Sequence, residues 1–423
     1  MNFDGYKETE IGLIPEEWKV KPLKEICSLI TDGKHGDCEN EEGSGYFFLS
    51  VKDVLDNRLV YDNARQITKE DFLETHRRTN LEVGDVLFTN TGTIGRMAIA
   101  TDDPRTKRTT FQKSVAILKP KRNIVLPYFL YYMLKFNNKR LSSFAEGTTQ
   151  KNLLLKDFRT FDVVIPSIHE QFAITNKLFS LDKKIELNNQ MNQTLEALGQ
   201  AIFRHWFIDF EFPDENGQPY KSGGGEMVDS ELGKIPQRWE IGTLGDIVNN
   251  FDSKRVPLSR HERESKKGEY PYFGATKIMD YVDDYIFDGI HILMAEDGSV
   301  IDKNERPVLQ YVWGKFWVNN HTHVLKGKKG FSEEYIYLLL KNTNISHLVS
   351  GAVQLKINQK NMNSLKIVIP DFKTLKIFSI IMNSLFSHYR LLTEETITLS
   401  KIRDFLLPKL MSGKIRVPTE DKP

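Results

Sequence analysis

Two polar runs in this chain have side chains suited to gripping a nucleic acid, and each returns later in the sequence with altered chemistry. The first follows an apolar segment at 81–88 and reads Thr89-Asn90-Thr91-Gly92-Thr93-Ile94-Gly95-Arg96. Hydroxyl and amide groups on a glycine-punctuated turn, closed by a guanidinium, can donate to phosphates or base edges. Its counterpart at 293–300 carries acidic residues in place of Asn90 and Thr91, which makes Asp297, beside Ser299, a candidate acceptor for a cytosine amine. The second run, Thr148-Thr149-Gln150-Lys151-Asn152, is matched by Gln354, Lys356, Asn358 and Gln359. Gln and Asn suit adenine, whereas Lys suits phosphate or guanine. Basic residues on the diverged stretches, Arg77, Arg78, Lys254, Arg255 and Arg260, together with Lys34, His35 and Lys277, complete the expected contacts. One basic cluster alone is ordinary solvated surface, but recurrence in both halves raises nucleic acid above that background.

Bond-making chemistry finds little support. No Gly-x-x-x-x-Gly-Lys-Ser/Thr phosphate loop, Gly-x-Gly-x-x-Gly turn or Gly-x-Ser-x-Gly elbow occurs. The Asp/Asn-Pro-Pro-aromatic run of amino-methylating DNA enzymes is missing as well. Pro213-Asp214 and Pro370-Asp371 are not followed by an acidic-x-Lys strand of the nuclease kind. His321 and His323 lack finger-like partners and read as a hydrogen-bonded surface pair; no metal site is expected. Cys27 and Cys38 read as ordinary thiols, and two cysteines cannot form a disulfide framework.

The elements that must position these runs are written twice. Ile14-Pro15-Glu16-Glu17-Trp18 returns as Ile235-Pro236-Gln237-Arg238-Trp239, and Gly147 to Gln150 returns as Gly351 to Gln354, each followed by an apolar run ending in proline. A repeat this long is a duplicated domain, not a solenoid unit. With 40% hydrophobic and 11% aromatic residues each copy can bury its own core. Lys+Arg of 58 against Asp+Glu of 57 means that any basic surface is local. No signal segment and no apolar run of membrane-spanning length is seen, which predicts a cytoplasmic protein.

Short β-rich runs at 46–51, 86–89, 97–100 and 115–118 precede a helix at 127–136; runs at 290–295, 308–312 and 322–325 precede a helix at 332–341. Each half then passes into a heptad seam. The first visits Ile174, Leu178, Leu181, Ile185, Asn188, Asn192, Leu195, Gly199, Ile202 and Trp206. The second visits Phe378, Met382, Leu385, Tyr389, Leu392, Thr396, Leu399, Arg403, Leu406 and Leu410. Steps of four and three sustained this long predict two helices, each on the order of 50 Å long, packed antiparallel. Asn188 and Asn192 either fix register on that seam or lie at its solvated edge. The expected class is α+β: two mixed, strand-rich domains separated by an antiparallel coiled coil with a pseudo-two-fold internal repeat. The expected limits are 1–166 and 231–370 for the globular domains, 167–211 and 371–415 for the helices, 212–230 for a flexible joint rich in Gly and Pro, and 416–423 for a frayed tail.

An Ile-Pro-x-x-Trp opening, a Gly-Asp-x-Leu strand-turn and a Gly-x-x-Gln block leading to a Val-x-Ile-Pro ending before a long helix together resemble the specificity subunit of type I restriction-modification systems. The closing Phe405-Leu406-Leu407-Pro408-Lys409-Leu410-Met411-Ser412-Gly413 is among the more specific stretches, and the first half lacks its Leu-Pro-Lys-Leu form. The resemblance implies two target-recognition domains, each reading half of a split double-stranded DNA sequence. It also implies a helical spacer that sets the gap and docks two methyltransferase subunits, which hold S-adenosylmethionine, and restriction–translocase subunits that join them. It implies no catalysis and no cofactor in this chain. A protein scaffold without DNA readout, and the specificity chain of a related methyltransferase–nuclease system, are the alternatives.

Overall fold

The structure is a computed structural model, and it describes residues 5–55, 57–147, 151–351 and 354–418. The chain divides into two compact units, 1–187 with 395–423 and 188–394. Each is built on a four-stranded antiparallel sheet.

In the first unit we number these strands β1 (Cys27–Asp32), β2 (Val86–Thr89), β3 (Met97–Ile99) and β4 (Val115–Pro120), in spatial order β1-β4-β2-β3. The sheet is apolar on both faces, and the period of two sorts its side chains between two cores. Val86, Phe88, Met97, Ile99, Ala116 and Leu118 face a core shared with helix α1 (Pro127–Phe136). Leu87, Ala98, Val115 and Ile117 face a smaller core completed by Leu49, Val54 and Phe111. Proline occupies the first turn of α1, where its missing N–H costs nothing, and the helix buries every side chain from Phe129 to Leu134. The long helix α2 (Ile168–Phe207) follows.

The second unit repeats the plan with β5 (Val248–Asn250), β6 (His291–Ala295), β7 (Leu309–Val312) and β8 (Thr322–Gly327), in spatial order β5-β8-β6-β7. Ile292, Met294 and Leu325 face one core, Leu293, Val312 and Val324 the other. Helix α3 (Glu333–Lys341) corresponds to α1; its N-cap Ser332 accepts from the Tyr335 N–H at 3.2 Å. The second long helix is α4 (Phe372–Met411).

Each long helix is shared. Residues 168–187 of α2 and 395–411 of α4 belong to the first unit, residues 188–207 and 372–394 to the second. Within each unit the two segments run antiparallel. In the first, Arg403 Nη1 lies 2.8 Å from Asp182 Oδ1; in the second, Asn192 Nδ2 donates to Thr393 Oγ1 at 2.9 Å and the Phe378 ring lies 5.7 Å from that of Trp206. No position of either expected seam is exposed. Asn188 is fully enclosed and Asn192 bonds across the pair, so these amides lie inside the seam.

The repeated tryptophans tie each sheet domain to its helix. Trp18 is fully buried and its indole N–H donates to Glu170 Oε2 at 2.9 Å, in the first turn of α2. Trp239 does the same to Asp371 Oδ2 at 3.1 Å, one residue before α4. Burial would push the Asp371 carboxyl up, but bonds from Thr374, Trp239 and Lys373 outweigh it and hold it below the usual range. In the first unit Gly413, at φ +72°, packs on Pro15 and Trp18 where a Cβ would fall 2.4 Å from Pro15 Cγ.

Two expectations differ from what is found. The 212–230 stretch is anchored at both ends: Phe212 stacks between Tyr220 and Trp239, with ring centroids at 4.6 and 4.8 Å, and strand Met227–Ser230 pairs with Gly233–Pro236. Its aromatics satisfy Trp239, which overrides the loop-forming Gly and Pro. Of the expected tail, 416–418 are held at Arg416, whose Nε lies 2.7 Å from Glu170 Oε1 and whose Nη2 lies 2.5 Å from Glu17 Oε1, and 419–423 lie outside the described residues.

Candidate nucleic-acid interface

Both sheets end in the same construction. In the first unit the Asn90 N–H, just past β2, donates to the Ser114 carbonyl at 3.0 Å, and the Leu153 N–H returns to the Asn90 carbonyl at 2.8 Å. In the second the Glu296 N–H, just past β6, donates to the His321 carbonyl at 2.9 Å, and the Ile357 N–H returns to the Glu296 carbonyl at 2.9 Å. Thr91 bridges Asn152 as Asp297 bridges Lys356. Asp32 ends β1, and Asp252 follows β5 at the same edge. Two sites with one backbone and unlike side chains therefore stand at the same end of each sheet.

The first site is built of amides and hydroxyls. Thr91 Oγ1 donates to Asn152 Oδ1 at 2.8 Å, and Asn90 Nδ2 reaches the Leu153 carbonyl at 3.3 Å. Asp32 Oδ2 lies 3.0 Å from His35 Nε2, and its Oδ1 lies 3.7 Å from Arg78. Asp32, His35, Asn90, Thr91 and Asn152 border a cavity of about 610 Å³ that also touches Gln112, Lys113 and Ser114.

The second site is an ion network. Arg255 Nη1 lies 2.7 Å from Glu296 Oε2 and its Nη2 3.6 Å from Asp252 Oδ2. Lys356 Nζ stands 3.6 Å from Glu296 Oε1. His323, 1% exposed, places Nδ1 2.5 Å from Asp252 Oδ2 and Nε2 2.9 Å from the Ile357 carbonyl. Burial would raise the Asp252 carboxyl, but the His323 hydrogen bond and charge, the Val324 N–H and Arg255 together hold it below its usual value. Asp252, Glu296 and His323 are the only described residues whose ligand atoms cluster as a metal site requires. Arg255 and Lys356 already face those carboxylates, so the cationic place is filled by side chains.

The expected contact residues divide accordingly. His35, Asn90, Thr91 and Asn152 meet at the first site, and Arg255, Asp297 and Lys356 at the second. Several are already engaged. Lys34 is clamped by Asp71 and Glu74 at 2.5 and 2.9 Å, which raises its ammonium above the usual lysine range. Arg255 is mostly enclosed, and Asp297 Oδ2 is taken by His321 Nδ1 at 2.8 Å. Asn358 is a helix N-cap, its Oδ1 accepting from the Asn361 N–H at 2.8 Å. Arg78 is turned onto the Asp32 and Gly33 carbonyls, and Arg96 Nη1 onto the Val51 carbonyl at 3.2 Å. Arg77, Thr93, Lys151, Lys254, Lys277, Ser299 and Gln354 are exposed; Arg260 is exposed and paired with Glu264 at 2.9 Å. Thr148 and Gln150 lie outside the described residues. His321 and His323 are not a pair: one faces Asp297 at the surface, the other is buried on Asp252.

Sequence reasoning missed Asp32, Asp252, Glu296, Ser114 and His323 as members of these sites. An aspartate at the end of the first strand of one sheet and just past it in the other was the available signal; nothing local marks Ser114.

A profile of the family described as type I restriction modification DNA specificity domain matches residues 15–197 and 236–400, most of the chain and both repeats. The chain belongs to this family. It is 28% identical over 436 residues to the type I restriction enzyme MjaIX specificity subunit of Methanocaldococcus jannaschii, covering 97% of this chain and 96% of that one. The HindI specificity subunit of Haemophilus influenzae is 23% identical, with 87% and 94% covered. The crystal structure of a type I restriction-modification S subunit from M. genitalium superposes with a TM-score of 0.58 at 17% identity, covering 93% and 96%, and so shares the fold. As a type I specificity subunit the chain is a recognition component of a restriction-modification system, and the doubled site falls within the profile in both halves. No described helix is long and apolar enough to cross a membrane.

Proposed function

We propose that this specificity subunit reads a split double-stranded DNA target, one half-site at each sheet end, and that the paired helices fix the gap between half-sites. The observation that carries this reading is the duplicated backbone site furnished with amides in one unit and an ion network in the other. Two readers of one design with different hydrogen-bonding faces recognise different bases. The chain itself makes no bonds; methyl transfer, with S-adenosylmethionine, belongs to methyltransferase subunits seated on the helices, and restriction–translocase subunits join that assembly. The outer helix faces support such seating. With the seam satisfied, Phe172, Leu187, Met191 and Leu198 on α2, and Ile380, Leu391, Ile397 and Phe405 on α4, remain exposed, from 45% at Leu198 to 65% at Ile380. Apolar side chains left open in this number mark an interaction surface.

The test is methyl transfer to unmethylated DNA amplified from the source genome. The chain with S-adenosylmethionine alone is expected to transfer none, whereas the chain assembled with its methyltransferase partner is expected to modify one bipartite sequence. Modification without sequence preference by that assembly would sink the reading.

A further inference from the structure

In the first unit two residues that line one cavity each carry an enclosed side-chain oxygen with nothing to bond. Asn90 is 4% exposed; its Nδ2 makes a long contact to the Leu153 carbonyl and its Oδ1 has no partner. Ser114 Oγ is likewise shielded and without a partner. Both residues line the cavity of about 610 Å³ beside Gln112 and Asn152. Enclosed polar atoms are nearly always bonded, so a matched pair left unbonded beside one cavity points to a missing ligand.

The second unit supplies the control. There the same two backbone positions hold Glu296 and His321, and both side chains are satisfied within the protein, by Arg255 and Lys356 and by Asp297. The openness of the first site is thus not imposed by the fold. It follows from the side chains placed on it.

We propose that Asn90 and Ser114 are the specificity-determining pair of the first unit, and that they take the edge of an adenine. This deepens the half-site reading above and rests on it. An amide oxygen accepts from an exocyclic amine while a neighbouring hydroxyl donates to a ring nitrogen, and adenine presents that amine and nitrogen, N6 and N7, side by side in the major groove. A phosphate offers only acceptors and leaves the Asn90 oxygen unsatisfied. The second unit cannot read the same edge in the same way, because its equivalent groups are closed on one another.

The experiment uses the full chain assembled with its methyltransferase partner. The target is first mapped from methylated adenines in the source cell, and binding is then measured on duplexes substituted one base pair at a time. Asn90→Ala and Ser114→Ala are each expected to reduce discrimination at one adenine-containing base pair of the first half-site by about tenfold, with the second half-site unchanged. Ser114→Ala removes a hydroxyl without a partner, so its melting temperature should hold while its discrimination falls. That dissociation keeps the test valid if Asn90→Ala folds poorly. Wild-type discrimination retained at every position by a folded Ser114→Ala assembly overturns the pair, and so does loss at a base pair without adenine. A wild-type assembly with no sequence preference overturns the half-site reading itself.

Discussion

At the scale of single residues, the second site stands or falls with Arg255. Its guanidinium faces two largely enclosed carboxylates, and replacing it with methionine leaves Glu296 and Asp252 short of compensation. Breaking a buried ion cluster from one side costs on the order of 3 kcal/mol, which urea unfolding of Arg255→Met would register. Acid should do related damage. Because the Asp252 carboxyl is held below its usual value of 3.8, its contribution is complete above that pH and is lost as the pH falls through the folded-state value. The melting-temperature difference between wild type and Asp252→Asn is therefore expected to shrink between pH 7 and pH 3; a constant difference would contradict the assignment. The turns that carry these clusters were legible in the sequence, since glycine-punctuated turns after apolar strands are local signals. It did not show which polar groups are spent. Asp297, Asn358 and Lys34 look available until the partners that occupy them, His321, the Asn361 N–H and Asp71, are brought in by the fold.

At the scale of elements, periodicity was the legible part. The four-three spacing found both long helices and the seam between them, because one buried stripe repeats every seven residues whatever its surroundings. The 127–136 helix and the 86–89 strand were equally plain, one opened by proline and the other an unbroken apolar run. The 212–230 stretch was not legible: Gly and Pro describe its turns, while its docking depends on Phe212 and Tyr220 finding Trp239 far along the chain. Removing one heptad from each long helix preserves the seam and shortens each by about 10 Å, or about three base pairs of duplex. Methylome sequencing of such a variant should show a shorter gap between unchanged half-sites. An assembled variant with its original gap would refute the spacer role. The anchor at the helix start is also measurable. Trp18→Ala empties a buried site and removes one of the donors to Glu170, at a cost of about 3–5 kcal/mol to the first unit.

At the scale of the whole molecule, duplication makes the recognition modular. Exchanging residues 1–166 for those of a relative is expected to change one half-site and leave the other and the gap intact, as methylated-adenine mapping would show; change in both halves would contradict the assignment of one sheet to one half-site. The shared helices set a limit on that modularity. Leu407, Leu410 and Met411 are part of the core that Trp18 and Leu23 begin, and Gly413 and Arg416 close over Pro15 and Glu170. A ribosome therefore delivers the earliest-made domain well before the strand of chain that seals it. Until residues 395–418 emerge, that domain must wait with its apolar flank open, so a premature stop codon after Glu394 would injure the first half of the protein more than the second.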